Sequence, residues 1–261
     1  MFQGKGKPLS AAGLEAAGRA LNVGLPALWA VMTVETKGCG FLSDRRPVIL
    51  FERHIFSRRT QRRFDAVAPD LSNSKAGGYG AVGDAQYEKL GRAIKLDRRA
   101  ALESASWGLG QIMGFNAAVA GFPDVEEMVR AMTDSEDAQF QGMVGFIQNS
   151  GLGGYLQQND WKSFAYRYNG ADFQKNRYDT KLAQAHARYL AGPLPNLTVR
   201  AAQLYLSYLR YVPGGVDGWY GTNTQKAILR FQSARGLPTT GQLDATTFSV
   251  LEQLALEYDP D

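Results

Sequence analysis

Apolar and polar residues follow one another along this 261-residue chain mostly at helical spacing. From Leu9 to Leu21, small and apolar side chains recur with that period, and Ser10 stands ahead of them as an N-cap. A second helix is expected from Pro26, a good first-turn residue, to about Thr36, where Gly38 and Gly40 stop it. Arg46–Glu52 is a short β-rich apolar run and is expected to be a strand in a small hairpin, with a helix following over 53–63. Residues 69–84, rich in Gly, Ser, Asn and Asp, form a loop. The helical period returns over 85–150, broken near Gly121-Phe122-Pro123 and Gly151, and again over 160–168 and 176–190. Gly192-Pro193-Leu194-Pro195-Asn196 is the best linker candidate. Beyond it, three short amphipathic stretches place Val199, Leu204, Tyr205, Tyr208 and Leu209, then Ala227, Ile228 and Phe231, then Phe248, Leu251 and Leu254 on helical faces. The expected division is therefore a mainly helical unit over 1–191 with a small β-hairpin, a linker at 192–196, and a three-helix unit over 197–261. No internal repeat is evident.

Composition narrows the function classes. A hydrophobic fraction of 44% is enough to build a core without staples. The single cysteine, Cys39, excludes an intramolecular disulfide, and with only two histidines beside it no metal or other cofactor is expected. Cys39 reads as a small buried residue, because no His lies near it in sequence to activate a thiolate. The net charge of +4 favours acidic partners, an anionic cell wall among them. The arginine run Arg58-Arg59…Arg62-Arg63 reads as a solvated helix face rather than a nucleic-acid surface. There is no run of about 20 apolar residues and no apolar stretch at the N-terminus, so neither membrane insertion nor a signal peptide is expected.

Three segments carry candidate chemistry. Glu35 follows Leu28, Val31 and Met32 on one helical face, at the end of the second helix. A carboxyl group there loses hydration, which raises its pKa and suits it to general-acid work, although a terminal Glu can equally point into solvent. Ser106-Trp107-Gly108-Leu109-Gly110-Gln111-Ile112-Met113-Gly114 combines glycines, which allow close backbone approach, with an amide that can meet sugar hydroxyls. Phe164-Ala165-Tyr166-Arg167-Tyr168-Asn169-Gly170 ends in a Tyr-Asn-Gly turn. Trp107 and Tyr79 are candidates for stacking on sugar rings, and His54 for lining a cleft.

In this order the segments resemble the lysozyme-like superfamily, and more closely the N-acetylmuramidase family of phage endolysins. The resemblance runs through Val34-Glu35-x-x-Gly38-x-Gly40-Phe41, Pro47-x-Ile49-Leu50-Phe51-Glu52-Arg53-His54-x-Phe56, and Ser106-Trp107-Gly108-x-Gly110-Gln111-Ile112-Met113-Gly114, and covers about residues 10–190. Thr36 stands where such motifs often carry Ser. The resemblance implies a lysozyme-like α+β catalytic domain that hydrolyses the bond from N-acetylmuramic acid to N-acetylglucosamine, with Glu35 protonating the glycosidic oxygen. A second carboxylate is then needed to activate water or stabilise the positive sugar; Glu52 ranks first and Asp44 second. Asp44, His54, Trp107, Gln111, Tyr168 and Asn169 are the expected substrate-side residues, Tyr168 being favoured over Tyr166 as the match to the family's Ala-Tyr-Asn.

Residues 197–255 resemble the small three-helix peptidoglycan-binding domain of wall hydrolases, through Val216-Asp217-Gly218-Trp219-Tyr220-Gly221, Ala227-x-x-x-Phe231-Gln232 and Thr240-Gly241-x-x-Asp244-x-x-Thr247. Thr240-Gly241 departs from the Asp-Gly common there. Asp217, Trp219 and Tyr220 are the expected wall-contacting residues, and Thr222 or Asn223 the expected cap of the helix that carries Phe231. The implied protein is a monomeric endolysin whose partner is the glycan strand of peptidoglycan. It would accumulate in the host cytoplasm and reach the wall when a separate pore opens the membrane. Two other readings remain: a lytic transglycosylase, which cuts the same bond but leaves a 1,6-anhydro product, and a non-catalytic wall-binding protein.

Overall fold

A computed structural model describes residues 2–35 and 38–257, without the side chains of Glu35, Ala171 and Asp172. The first helix, α1 (Ala11–Leu21), starts as expected: the Ser10 side chain accepts from the Gly13 N–H, and Asn22 closes the helix in the left-handed conformation. Helix α2 (Leu25–Glu35) differs from the single apolar stripe. Ala27, Leu28, Trp29, Ala30, Val31 and Met32 are all buried in succession, so this helix is wrapped by the core rather than laid on it. It packs against α10 (Tyr178–Ala191) and α1. Among the described residues ten α-helices, α1–α10, build the first unit: α3 (Arg53–Arg59), α4 (Asp84–Leu96), α5 (Arg98–Glu103), α6 (Val125–Asp134), α7 (Glu136–Asn149), α8 (Gly153–Gln157) and α9 (Trp161–Asn169) complete the set.

The predicted strand exists as β1 (Ile49–Phe51), but its partner is far away in sequence. It pairs antiparallel with β2 (Ala105–Trp107), Ile49 facing Trp107, and β2 turns back as β3 (Ile112–Met113). The hairpin is thus β2–β3, and its turn is the glycine-rich motif itself. Helix α3 ends short of the expected residue 63. The Thr60 hydroxyl bonds back to the Phe56 carbonyl, and Gln61 and Arg62 take positive φ, which breaks the helix. Two arginines of the run that spans this break pair with carboxylates on the surface, Arg59 with Glu103 and Arg63 with Asp97, both at 2.8 Å.

Helices α11 (Leu197–Tyr208), α12 (Thr222–Ala234) and α13 (Ala245–Glu257) form the second unit around Leu204, Ile228, Phe231 and Leu251. Gly221, not Thr222 or Asn223, is the N-cap of α12, and no side chain caps it. A buried glutamine organises each of the two long turns. Gln203 accepts from Asp217 N and Gly218 N and donates to Thr224 Oγ1; Gln232 accepts from Gly241 N and donates to Thr247 Oγ1. The two turns share one Gly-to-Thr spacing, so a structural repeat is present where the residue pattern showed none.

The segment 192–196 is not a free spacer. Pro195 is buried, Asn196 caps α11, and the Asn196 N–H bonds to Gly218 O at 3.0 Å. Phe41, from the first unit, is buried in the second unit's core. Tyr208 OH donates to Gly6 O at 2.7 Å, and Arg210 Nη1 donates to Ser43 Oγ at 2.8 Å. Phe41→Ala should therefore destabilise the second unit by about 3–5 kcal/mol, as expected for a buried Phe. Urea unfolding followed by Trp219 fluorescence would show it; a shift below about 1 kcal/mol would contradict the shared core.

Candidate functional site

Glu35 is the last residue of α2; its side chain, and with it the expected burial of the carboxyl, lies outside the described residues. Its three expected neighbours on the helix, Leu28, Val31 and Met32, are all buried. The chain then emerges at Gly38 and enters the tightest part of the structure. Gly38 O accepts from Arg200 Nη2 at 2.6 Å, and Gly40 N–H donates to Glu136 Oε1 at 2.9 Å. A Cβ on Gly40 would collide with the side-chain oxygen of Gln139 and lie 3.1 Å from Leu109 N, so any larger residue would displace the Gln139 amide from its hydrogen bond to Leu109.

Glu136 and Gln139 sit one turn apart on α7 and clamp this loop from below. The Glu136 carboxylate accepts from Leu9 N at 3.0 Å and Gly40 N, and forms a two-pronged ion pair with Arg200 of α11, Nη2 to Oε1 at 2.8 Å and Nη1 to Oε2. The two side chains are 0% and 1% exposed. Burial works against the Arg200 charge, but the adjoining Glu136 carboxylate more than offsets it and holds the guanidinium above its ordinary pKa. Gln139 Oε1 accepts from Leu109 N at 2.7 Å and its amide donates to Met132 O at 2.8 Å, which ties the hairpin turn to the same helix.

The hairpin turn is closed by Gln111. Its amide donates to Val48 O (3.1 Å) and Gly108 O (2.8 Å) and its oxygen accepts from Ser106 Oγ (2.9 Å). The amide expected to meet substrate is thus engaged in shaping the turn. Gly110 O, at the turn's tip, accepts from Tyr168 OH at 3.0 Å, and the Tyr168 ring stacks on Phe164. Asn169 ends α9 next to Tyr168. The second and third motifs therefore meet directly, and the Gly38–Gly40 loop joins them through Val48, whose N–H bonds Gly40 O at 2.8 Å.

Glu52 terminates β1 and opens α3, with its N–H on Ser104 O and its carbonyl accepting from Ile55 and Phe56. Its side chain is only 16% exposed. Oε2 lies 3.1 Å from His54 Nδ1 without hydrogen-bond alignment, and the carboxylate's charge reaches the Tyr79 hydroxyl. Burial, then the Glu52 charge, raises the Tyr79 pKa. The neighbouring Arg53 turns away to Lys75 O (3.1 Å), and among the described residues no Arg or Lys side chain lies within ion-pair distance of Glu52. His54 also lines an open groove of about 450 Å³ with Ser57, Arg58, Gln61, Arg62 and Ser74.

Four expected residues make structural contacts of their own. Trp107 is 0% exposed; its indole N–H donates to Leu102 O and its ring packs on Phe2, so it has no face open to a sugar. Asp44 gives both carboxylate oxygens to Arg46, one to its backbone N–H and one to its guanidinium, and so builds the turn before β1. Asp217 Oδ1 likewise accepts from Gln203 Nε2 and Trp219 N, both at 3.0 Å. Trp219 is half-buried between the units with the Arg188 guanidinium 5.2 Å from its ring centroid, beside an interdomain cavity of about 320 Å³. Of the three wall-side candidates Tyr220 keeps the most open aromatic surface, 42% exposed, with its hydroxyl on Gly241 O. Glu136, Gln139, Arg200 and Gln203 are the organising residues that the motif reading missed. Each is a polar residue on an otherwise apolar helical face, with Phe140 and Met143 following Glu136, and Leu204 following Arg200. That was the available signal. Among the described residues no three His, Cys, Asp or Glu side chains cluster as a metal site would require.

Cys39 lies in the same loop. Burial, reinforced by the Glu136 charge and opposed by Arg200, pushes its thiol up to about 12. The group stays protonated at pH 8, so alkylation of the native protein should run about 100-fold or more below a free thiol, and reach the free rate only on unfolding. Free-thiol reactivity at pH 8 in the folded state would contradict this environment.

Residues 24–190 match the N-acetylmuramidase (Muramidase) family, and residues 196–251 match the putative peptidoglycan binding domain. The crystal structure of the Burkholderia AP3 phage endolysin superposes with a TM-score of 0.66 at 43% sequence identity, over 70% of this chain and 71% of that one.

Proposed function

Since the chain belongs to the N-acetylmuramidase family of lysozyme-type glycoside hydrolases, we propose that it is an endolysin that hydrolyses the β-1,4 bond between N-acetylmuramic acid and N-acetylglucosamine. Glu35 is the proton donor to the glycosidic oxygen, and Glu52 is the second carboxylate, acting on the opposite face of the sugar through water or by stabilising the oxocarbenium ion. The observation that carries the hydrolytic reading is the setting of Glu52: a mostly buried carboxylate with no Arg or Lys pairing it among the described residues, beside His54 and close enough for its charge to raise the Tyr79 pKa. A carboxylate kept for structure alone is normally neutralised by a strong cation, as Glu136 is.

The catalytic unit spans 1–191 and the wall-binding unit 197–261, joined through 192–196. The second unit supplies affinity for peptidoglycan, which raises the local concentration of the first at an immobile polymer. Tyr220 is its best-exposed aromatic for that contact. Tyr168 and Asn169 shape the substrate side of the cleft; Gln111 acts on it indirectly by fixing the turn that Tyr168 touches. No helix among the described residues is long and apolar enough to cross a membrane. In this role the protein, as a monomer, waits in the host cytoplasm and meets the wall once a separate pore opens the membrane.

Mass spectrometry of digested sacculi tests the reading. Hydrolysis predicts free reducing ends on N-acetylmuramic acid, with Glu35→Gln and Glu52→Gln each slowing release by about 100-fold or more. Products with 1,6-anhydro ends, together with full activity of Glu52→Gln, would make the enzyme a transglycosylase. Undiminished lysis by Glu35→Gln would remove Glu35 from the chemistry.

A further inference from the structure

We propose that Arg200, although it belongs to the wall-binding unit, is a positioning residue for catalysis, so that the two units work as one catalytic body. The proposal rests on the reading of Glu35 as proton donor. What sets the buried pair apart is where its hydrogen bonds go. If Arg200 and Glu136 served only to glue two domains, their contacts would run between remote surfaces. Instead, besides the N-terminal arm at Leu9 N, they end on the backbone of the loop that leaves α2. Arg200 Nη2 holds Gly38 O, and Glu136 Oε1 holds Gly40 N–H, three and five residues beyond Glu35.

The second unit closes on that loop by further routes. A Cβ on Gly38 would stand 3.0 Å from Val216 O, so the turn before α12 lies directly on the loop. Phe41 enters the second unit's core one residue beyond Gly40, and Arg45 Nη2 bonds Ala255 O at the end of α13. The loop from Gly38 to Arg45 is therefore built from both units, and it is the covalent continuation of the helix that presents Glu35. A general acid contributes only when it is held within hydrogen-bond reach of the oxygen it protonates, and a displacement of about 1 Å can cost about 100-fold. Removing the guanidinium takes its hydrogen bond from Gly38 O and leaves the Glu136 charge buried without its cation, which loosens the anchor nearest the acid.

The test uses the full-length protein and two substrates: soluble uncrosslinked glycan strands, which need no retention on a wall, and intact sacculi. Arg200→Lys keeps a charge but loses the two-pronged geometry. It should stay folded by circular dichroism, bind sacculi within about twofold of the parent, and lose kcat on soluble strands by about 10–100-fold with KM little changed. The paired change Glu136→Met with Arg200→Met, which avoids a lone buried charge, should fold and show the same kcat loss. Arg210→Ala, which breaks only the exposed contact with Ser43, should leave kcat unchanged and reports on general loosening of the interface. A folded Arg200→Lys with parental kcat overturns the proposal. So does a loss confined to KM or to sacculus binding, or a failure of both Arg200 variants to fold, which would make the pair a folding determinant alone. Glu35→Gln measured alongside keeps the premise separate: if it retains turnover, the assignment of the acid fails whatever Arg200 does.

Discussion

The Glu136 carboxylate lies out of reach of water, and the geometry around the end of α2 depends on how it is satisfied. Two charges taken into a protein interior cost several kcal/mol each after relaxation, and only close pairing with full use of their hydrogen bonds recovers that cost. Here the carboxylate takes two prongs from Arg200 and two backbone N–H groups, Leu9 and Gly40, from segments more than thirty residues apart. It fixes the N-terminal arm, the loop after α2 and the first helix of the second unit against α7 at once. Removing either partner strands the other, so the pair specifies one arrangement rather than merely adding stability.

From that anchor the other motifs follow by short steps. Gln139, a turn along α7, holds the hairpin turn through Leu109 N. Gln111 closes the turn from inside, and Gly110 O offers its tip to Tyr168. The three segments that resemble the family's signature are thus one hydrogen-bonded chain of supports, and several of their polar atoms position backbone rather than meet substrate. This accounts for a motif that looks like a sugar-binding loop in sequence but buries its tryptophan completely. Preorganised groups need such supports, because a loosely held donor or carboxylate loses most of its advantage at the transition state.

Much of the architecture was legible in the residue pattern because helix periods, caps and glycine stops are local signals. Ser10 and the three C-terminal amphipathic stretches led directly to the elements found. Strand pairing was not legible, since β1 finds its partner more than fifty residues away and no local turn announces it. At the site, the pattern named Glu52 and Tyr168, which lie beside His54 and on the hairpin turn, but could not foresee that Trp107 is buried, that Asp44 is bonded to Arg46 or that Trp219 is half-buried. Residue type cannot tell a ring facing a cleft from one facing a core, nor a carboxylate free for chemistry from one spent on its own turn. The organising residues, Glu136 and Arg200, left only a faint trace: a charge placed on an apolar helical face, with its opposite number sixty-four residues away.

The most direct test is a crystal structure of the Glu35→Gln variant with a soluble peptidoglycan strand bound. The expected result is a scissile glycosidic oxygen within about 2.6–3.2 Å of the amide that replaces the Glu35 carboxyl, with the Glu52 carboxylate on the opposite face of the same sugar ring and the Gly38–Gly40 loop still held by Arg200 and Glu136. A strand bound with Glu52 remote from the sugar, or with the substituted amide turned away from the glycosidic oxygen, would contradict it.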